Sequence, residues 1–185
     1  MPINYSEGGT SNNGRIIQVV STFYGDRSKY TNFTGNSFVN TFNDIDTTIT
    51  PKLASSKLMF FVNINYGIES NTGSVFFQIR DGSSTVVQGL NGNNQAYGHR
   101  CFHQSRWSHG GSQQSEYTTK RAIINGAMID AGSTSARTYK IYTQVQTGGL
   151  DVTINRDGSN ASDTNTGQHS PASNSYMTIM EVSDV

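Results

Sequence analysis

Residues 56–67 read SKLMFFVNINYG, and the alternation within them decides the fold. Leu58, Phe60, Val62, Ile64 and Tyr66 occupy every second position. Successive side chains of an extended strand point to opposite faces, so these five share one face and require a core opposite them. The other face starts apolar, with Met59 and Phe61, and turns polar at Asn63 and Asn65. That division suits a central strand whose back is covered at one end, by another segment or by another copy of the chain. Just upstream, Ile49-Thr50-Pro51 followed by Ala54-Ser55-Ser56-Lys57 reads as the end of one strand, a proline-bent turn and the entry to this one.

Working outward in both directions, the remaining apolar runs are short and separated by Gly, Ser and Asn. Residues 1–14 offer too little apolar area to offset the entropy of ordering and read as a flexible or docking arm. Residues 15–22 (RIIQVVST) form a strand, 23–36 an ordered loop or short irregular strand, and 37–42 and 45–50 two strand segments broken near Asn43-Asp44. Asp81-Gly82 between 73–80 and 84–88 predicts a hairpin. Residues 89–115 make a long polar excursion with a strand at 97–106; a loop of that length is usually an interaction surface unless it hides a strand. Strands follow at 117–130, interrupted by a kink or bulge at Gly126, at 137–146, at 150–155 and at 175–182 (SYMTIMEV). No stretch sustains a 3.6-residue period. The expectation is one domain over 15–185, an all-β, two-sheet antiparallel sandwich of jelly-roll type.

Composition narrows the function classes. The chain has 185 residues, enough for one well-filled domain, with 34% hydrophobic and only 14% charged residues. Its surface is therefore built from Ser, Thr, Asn, Gln and Gly, against roughly a quarter charged residues in an average soluble protein. A formal net charge of zero leaves no electrostatic footprint for nucleic acid or an anionic membrane. The opening MPINYSEGG has neither a basic n-region nor an apolar run, so no secretory signal is expected, and no stretch approaches the roughly 20 apolar residues that span a bilayer. The expected place of synthesis is a cytoplasm. Cys101 is the single cysteine, which excludes an intramolecular disulfide and leaves packing or association to supply stability.

The order of landmarks resembles a loosely defined group of small structural proteins of tailed bacteriophages, many from cyanobacterial and marine hosts. The matching features are the opening RIIQVVST, the strand ending ITP, the Ser-Ser-Lys-Leu entry, the Tyr-Lys-Ile-Tyr strand after Ala-Arg-Thr, the Asn155-Arg156 pair and the closing SYMTIMEV. The resemblance runs from about Arg15 to the C-terminus. It implies a jelly roll that trimerises and is displayed on the virion, as a head decoration or as the tip of a fibre. Residues 89–115 lie outside the likeness.

The chemistry legible in the residues is sparse. His99, Cys101 and His103 share a strand face and are zinc-compatible, but ligands two apart on a strand need a further partner such as His109 or a symmetry copy, and a polar face with a buried Cys is the simpler reading. Spacing of i and i+2 does not align Cys101 and His103 as nucleophile and base. Glu7, Glu69, Glu116 and Glu181 are isolated, and Asp44-Ile45-Asp46 reads as a turn before it reads as a cation site. Tyr97, Phe102, Arg106 and Trp107 would form either a sugar- or protein-contact patch or a set of pins holding the excursion onto its own sandwich. Met59, Phe61 and Phe76 are the expected subunit interface.

These readings converge on a non-enzymatic virion protein without a cofactor, a homotrimer binding the phage major capsid protein and stabilising the assembled head by mass action. The alternative is a tail-fibre knob contacting a fibre protein or a host surface glycan through the 89–115 excursion.

Overall fold

The computed structural model describes residues 14–26, 28–30, 33, 37–40, 42–68, 72–83, 85–92, 101–108, 119–146, 151–155 and 174–183. In chain order the elements are β1 (Ile16–Tyr24), β2 (Ser28–Tyr30), β3 (Val39–Asn40), a short 3-10 turn (Asn43–Ile45), β4 (Thr47–Ile49), β5 (Lys57–Ile68), β6 (Thr72–Asp81), β7 (His103–Ser108), β8 (Lys120–Asp130), β9 (Arg137–Val145), β10 (Val152–Ile154) and β11 (Ser175–Val182).

Strand β5 is central, as its alternation predicts. One edge pairs with β8 from Lys57 to Tyr66; the other takes β11 along Lys57 to Asn63 and then β10 along Tyr66 to Ile68. Beyond these, β1 pairs β11 and β2 pairs β10, which completes the first sheet. The second sheet runs β3-β9-β6-β7, with β4 also on β9. All of these pairings are antiparallel and they nest: β1 with β11, β3 and β4 with β9, β5 with β8, β6 with β7. Nested pairing of early with late strands across two sheets is the jelly-roll topology.

Leu58, Phe60, Val62, Ile64 and Tyr66 all lie in the core. They meet Val75, Phe77 and Ile79 of β6 and Tyr139, Ile141 and Val145 of β9, the second sheet's inward residues. Aromatic rings clasp the two layers: Phe60 meets Tyr139 edge-on at 4.9 Å, and Tyr66 meets Phe77 edge-on at 4.7 Å. Edge-to-face pairs add about 0.5–1.5 kcal/mol each beyond the area they bury. The interruption expected at Gly126 is a bulge: Phe60 pairs Ala127 and Phe61 pairs Asn125, while Gly126 adopts φ +79°, a backbone state that glycine enters without a Cβ penalty.

Local differences from the sequence reading have local causes. Of the two readings for 23–36 the short strand is the one present, as β2 on β10, while β1 itself continues to Tyr24. The return arm of the Asp81-Gly82 turn is an antiparallel partner but not a full strand: Asp81 N–H donates to Thr85 O and Val87 N–H to Ile79 O around an isolated bridge, Arg80 to Val86, and a side chain extends the ladder. Asn91 accepts from Ile79 N–H and donates to the carbonyls of Ile79 and Val87. The strand expected at 97–106 lies later, at His103–Ser108, where the register to Thr72–Phe77 is set by Phe77 opposite His103. Residues 1–13 of the expected arm lie outside the described residues.

Candidate functional site

Two places in this frame concentrate chemistry: the outer face of the first sheet, and the mouth of the sandwich where edge strands β7 and β8 face each other.

The outer face follows from the register. Val19, Met180, Met59 and Met128 stand side by side across β1, β11, β5 and β8. One row further along come Ser21, Thr178, Phe61 and Asn125, and then Phe23, Tyr176, Asn63 and Ile123. Phe23, Ile123, Met128 and Val19 are 69%, 53%, 51% and 50% exposed, while Met59 and Phe61 are half-buried among them. None of the three rows carries a charge; the pair Lys57–Asp130 stands beyond the first row and Arg121 beyond the last. Strand spacing puts the rows over roughly 400 Å² in plane, within the 300–600 Å² of the largest patch on a typical monomer. Past the Lys57 end, Ile16, Ile17 and Leu53 wall a cavity of about 270 Å³ with Arg15, Lys52 and Ser183.

Phe76 belongs elsewhere. It lies on β6, outside the inter-sheet core, and is 1% exposed within the single chain. The expected interface trio is thus divided between two sheets, and only Met59 and Phe61 belong to the apolar outer face.

At the mouth, Tyr66 of β5 and Lys120 of β8 are register partners, and His103 and Ser105 project from β7 toward them. Tyr66 Oη lies 2.8 Å from His103 Nε2, and Lys120 Nζ donates to Ser105 Oγ at 3.0 Å. Burial pushes the Tyr66 phenol up to about 12, although the Ser105 hydroxyl pulls against the rise. Burial also lowers His103, helped by the nearby Lys120 charge, and lowers Lys120 itself. The His103 ring packs at 5.7 Å from Tyr66 and 6.0 Å from Phe77.

The zinc-compatible face does not assemble. His103 Nε2 is engaged with Tyr66, Cys101 is a buried thiol raised by burial, His99 lies outside the described residues, and no three His, Cys, Asp or Glu side chains group among the described residues. Of the contact patch, Phe102 packs against the core with its ring 6.3 Å from Phe77, so it pins the excursion to the sandwich. Tyr97 and the side chains of Arg106 and Trp107 lie outside the described residues. Asp46 is committed to Lys140 at 3.1 Å, and burial still raises its carboxyl despite that cation.

One buried group escapes a reading by motif. Glu181 sits on the inward phase of β11 with Met177 and Ile179, fully buried. It accepts from the N–H groups of Lys52 and Leu53, from Ser56 Oγ at 2.7 Å and from Gln18 Nε2 at 2.6 Å. The signal was the phase itself: a carboxylate on a strand's core face needs donors waiting for it.

No protein-family model and no curated protein matches the chain. Among solved structures it is similar to one described as Eiger TNF from S. frugiperda, with 9% identity and a TM-score of 0.45, over 92% of this chain and 96% of that one. Among the described residues no helix is long and apolar enough to cross a membrane.

Proposed function

We propose that this chain is a non-enzymatic structural protein of a phage virion, a homotrimeric jelly roll that decorates the head and stabilises the assembled shell. The observation that carries the reading is the uncharged outer face of the first sheet, centred on Met59. Apolar area of that kind is retained at the surface when a copy of the chain covers it, and methionine side chains adapt to such contacts. Its roughly 400 Å², polar Ser21, Thr178 and Asn63 included, is about half of what one partner contributes to a standard interface, so the rims supply the remainder. The sequence resemblance supplies the virion setting and the number three, and major capsid protein is the partner that a head protein would bind.

The first test is mass in solution. Light scattering on purified protein is expected to give three times the chain mass of 20.2 kDa. Met59→Glu is expected to weaken association at least 100-fold, because a carboxylate would be desolvated without a partner, while the sandwich stays folded. A wild-type monomer, or a trimer indifferent to Met59→Glu, rules out this interface. The second test is immunogold microscopy of virions. Label over the head supports decoration, label at the tail replaces it with a fibre knob, and absence of label removes the virion assignment.

A further inference from the structure

The polar groups at the sandwich mouth are ordered in one direction. An ammonium has only donors, so Ser105 Oγ must accept from Lys120 Nζ. Ser105 can then turn its hydrogen to Tyr66 Oη, which frees the Tyr66 hydrogen to donate to His103 Nε2 whenever that nitrogen is unprotonated. We propose that this Lys120–Ser105–Tyr66–His103 chain is an acid-released latch that ties edge strand β7 of one sheet to β8 and β5 of the other.

The groups around His103 leave its proton no welcome. From β5 comes the Tyr66 hydroxyl, from β6 the uncharged Phe77 ring, and from β8 the Lys120 ammonium. On its own segment are Ser105 and the buried Cys101 thiol, which burial keeps protonated. Once protonated, Nε2 can only donate to Tyr66 Oη, which displaces the Tyr66 hydrogen from its acceptor within a buried site and adds a second cation beside Lys120. The sign follows from His103 being lowered in the folded chain. The latch holds fully above the ordinary histidine value of 6.5 and is lost as pH falls through that value toward the folded one. Because β7 has one strand neighbour among the described residues, β6, the cross-sheet tie restrains its other side.

Hydrogen exchange on the full chain tests this. Protection of the His103–Ser108 amides, corrected for intrinsic exchange, is expected to drop at least tenfold between pH 7.5 and pH 5.0, while Arg137–Val145 stays unchanged. In His103→Gln, whose amide oxygen can still accept from Tyr66, the drop is expected to vanish. Equal protection at both pH values, or a drop that persists in His103→Gln, overturns the latch. Should that variant fail to fold, the wild-type His103 imidazole is followed by NMR. Titration below 6.5 with a midpoint matching the loss of β7 protection supports the proposal; titration at or above 6.5, or an unmatched midpoint, overturns it.

Discussion

Glu181→Ala is expected to lower the unfolding free energy by about 4 kcal/mol, read as a shift of the urea midpoint at fixed protein concentration. The carboxylate gathers two backbone N–H groups, one hydroxyl and one amide, with no cation among them. Truncation leaves those four donors facing a void at the junction of the 50–56 turn and β11. Each stranded donor costs about 1–3 kcal/mol, which partial access of water to the turn reduces. Glu181→Gln keeps one acceptor but turns the other atom into a donor facing donors, so about half of the loss is expected. The pH dependence separates the charge from the packing. Burial alone would raise the carboxyl, but the bonds from Lys52, Ser56, Leu53 and Gln18 hold it below the ordinary value of 4.5. The unfolded chain therefore takes up the proton first, and stability present above pH 4.5 drains away as pH falls toward the folded value. In Glu181→Gln that part of the acid sensitivity is expected to disappear; an unchanged acid profile would mean that other carboxylates set it.

Much of the fold was legible because period-2 alternation records burial directly. Residues 58–66 present one uninterrupted apolar phase and 139–145 one broken only by Thr143, and both became central strands with their apolar residues in the core. Gly126 announced its bulge because an apolar alternation that breaks phase at a glycine needs the extra residue absorbed there. The hairpin at Asp81-Gly82 forms, but its return arm is shorter than the pattern suggests, for a converse reason. Thr and Val in a row carry strand propensity, but the point at which the Asn91 side chain takes over from the backbone ladder at Ile79 leaves no trace in the pattern.

The candidate sites were legible to a lesser degree, since they depend on register between distant strands. Met59 and Phe61 stood out on the second face of β5, yet nothing local to them indicates that Val19, Met180 and Met128 extend the same row. Phe76 and Phe61 are both aromatic and each adjoins a core residue, Phe77 and Phe60. Their strands belong to different sheets, so the resemblance in sequence does not carry over to space. His103 drew notice through its neighbours His99 and Cys101, whereas its actual partner is Tyr66, 37 residues away in the chain. Long-range polar pairing of this kind is set by topology, and single-strand spacing does not encode it.

The second large effect is expected at Asn155, which the resemblance marked only as half of an Asn-Arg pair. It is the one non-glycine residue with positive φ among the described residues, at 56°, and it is fully buried. Its N–H donates to the Asn65 carbonyl at 2.8 Å, and its amide nitrogen donates to the carbonyls of Tyr24 and Asp26, which bend the chain from β1 into β2. Its side-chain oxygen accepts from Ser175 Oγ at the start of β11. The side chain thereby ties the end of β10 to β1 and β11, and the backbone N–H adds β5, at the end of the first sheet where β10 takes over from β11. Asn155→Ala removes three side-chain bonds and places a Cβ-bearing residue without local hydrogen bonding in the left-handed region, for a loss of about 4 kcal/mol. Asn155→Gly removes the same bonds but relaxes the backbone, so it is expected to be about 1 kcal/mol less damaging than Asn155→Ala. That ordering distinguishes the two contributions. If alanine and glycine are equally harmful in denaturant unfolding, the left-handed backbone costs nothing here and the hydrogen bonds account for the whole effect; if both are harmless, β1, β10 and β11 hold together without this residue.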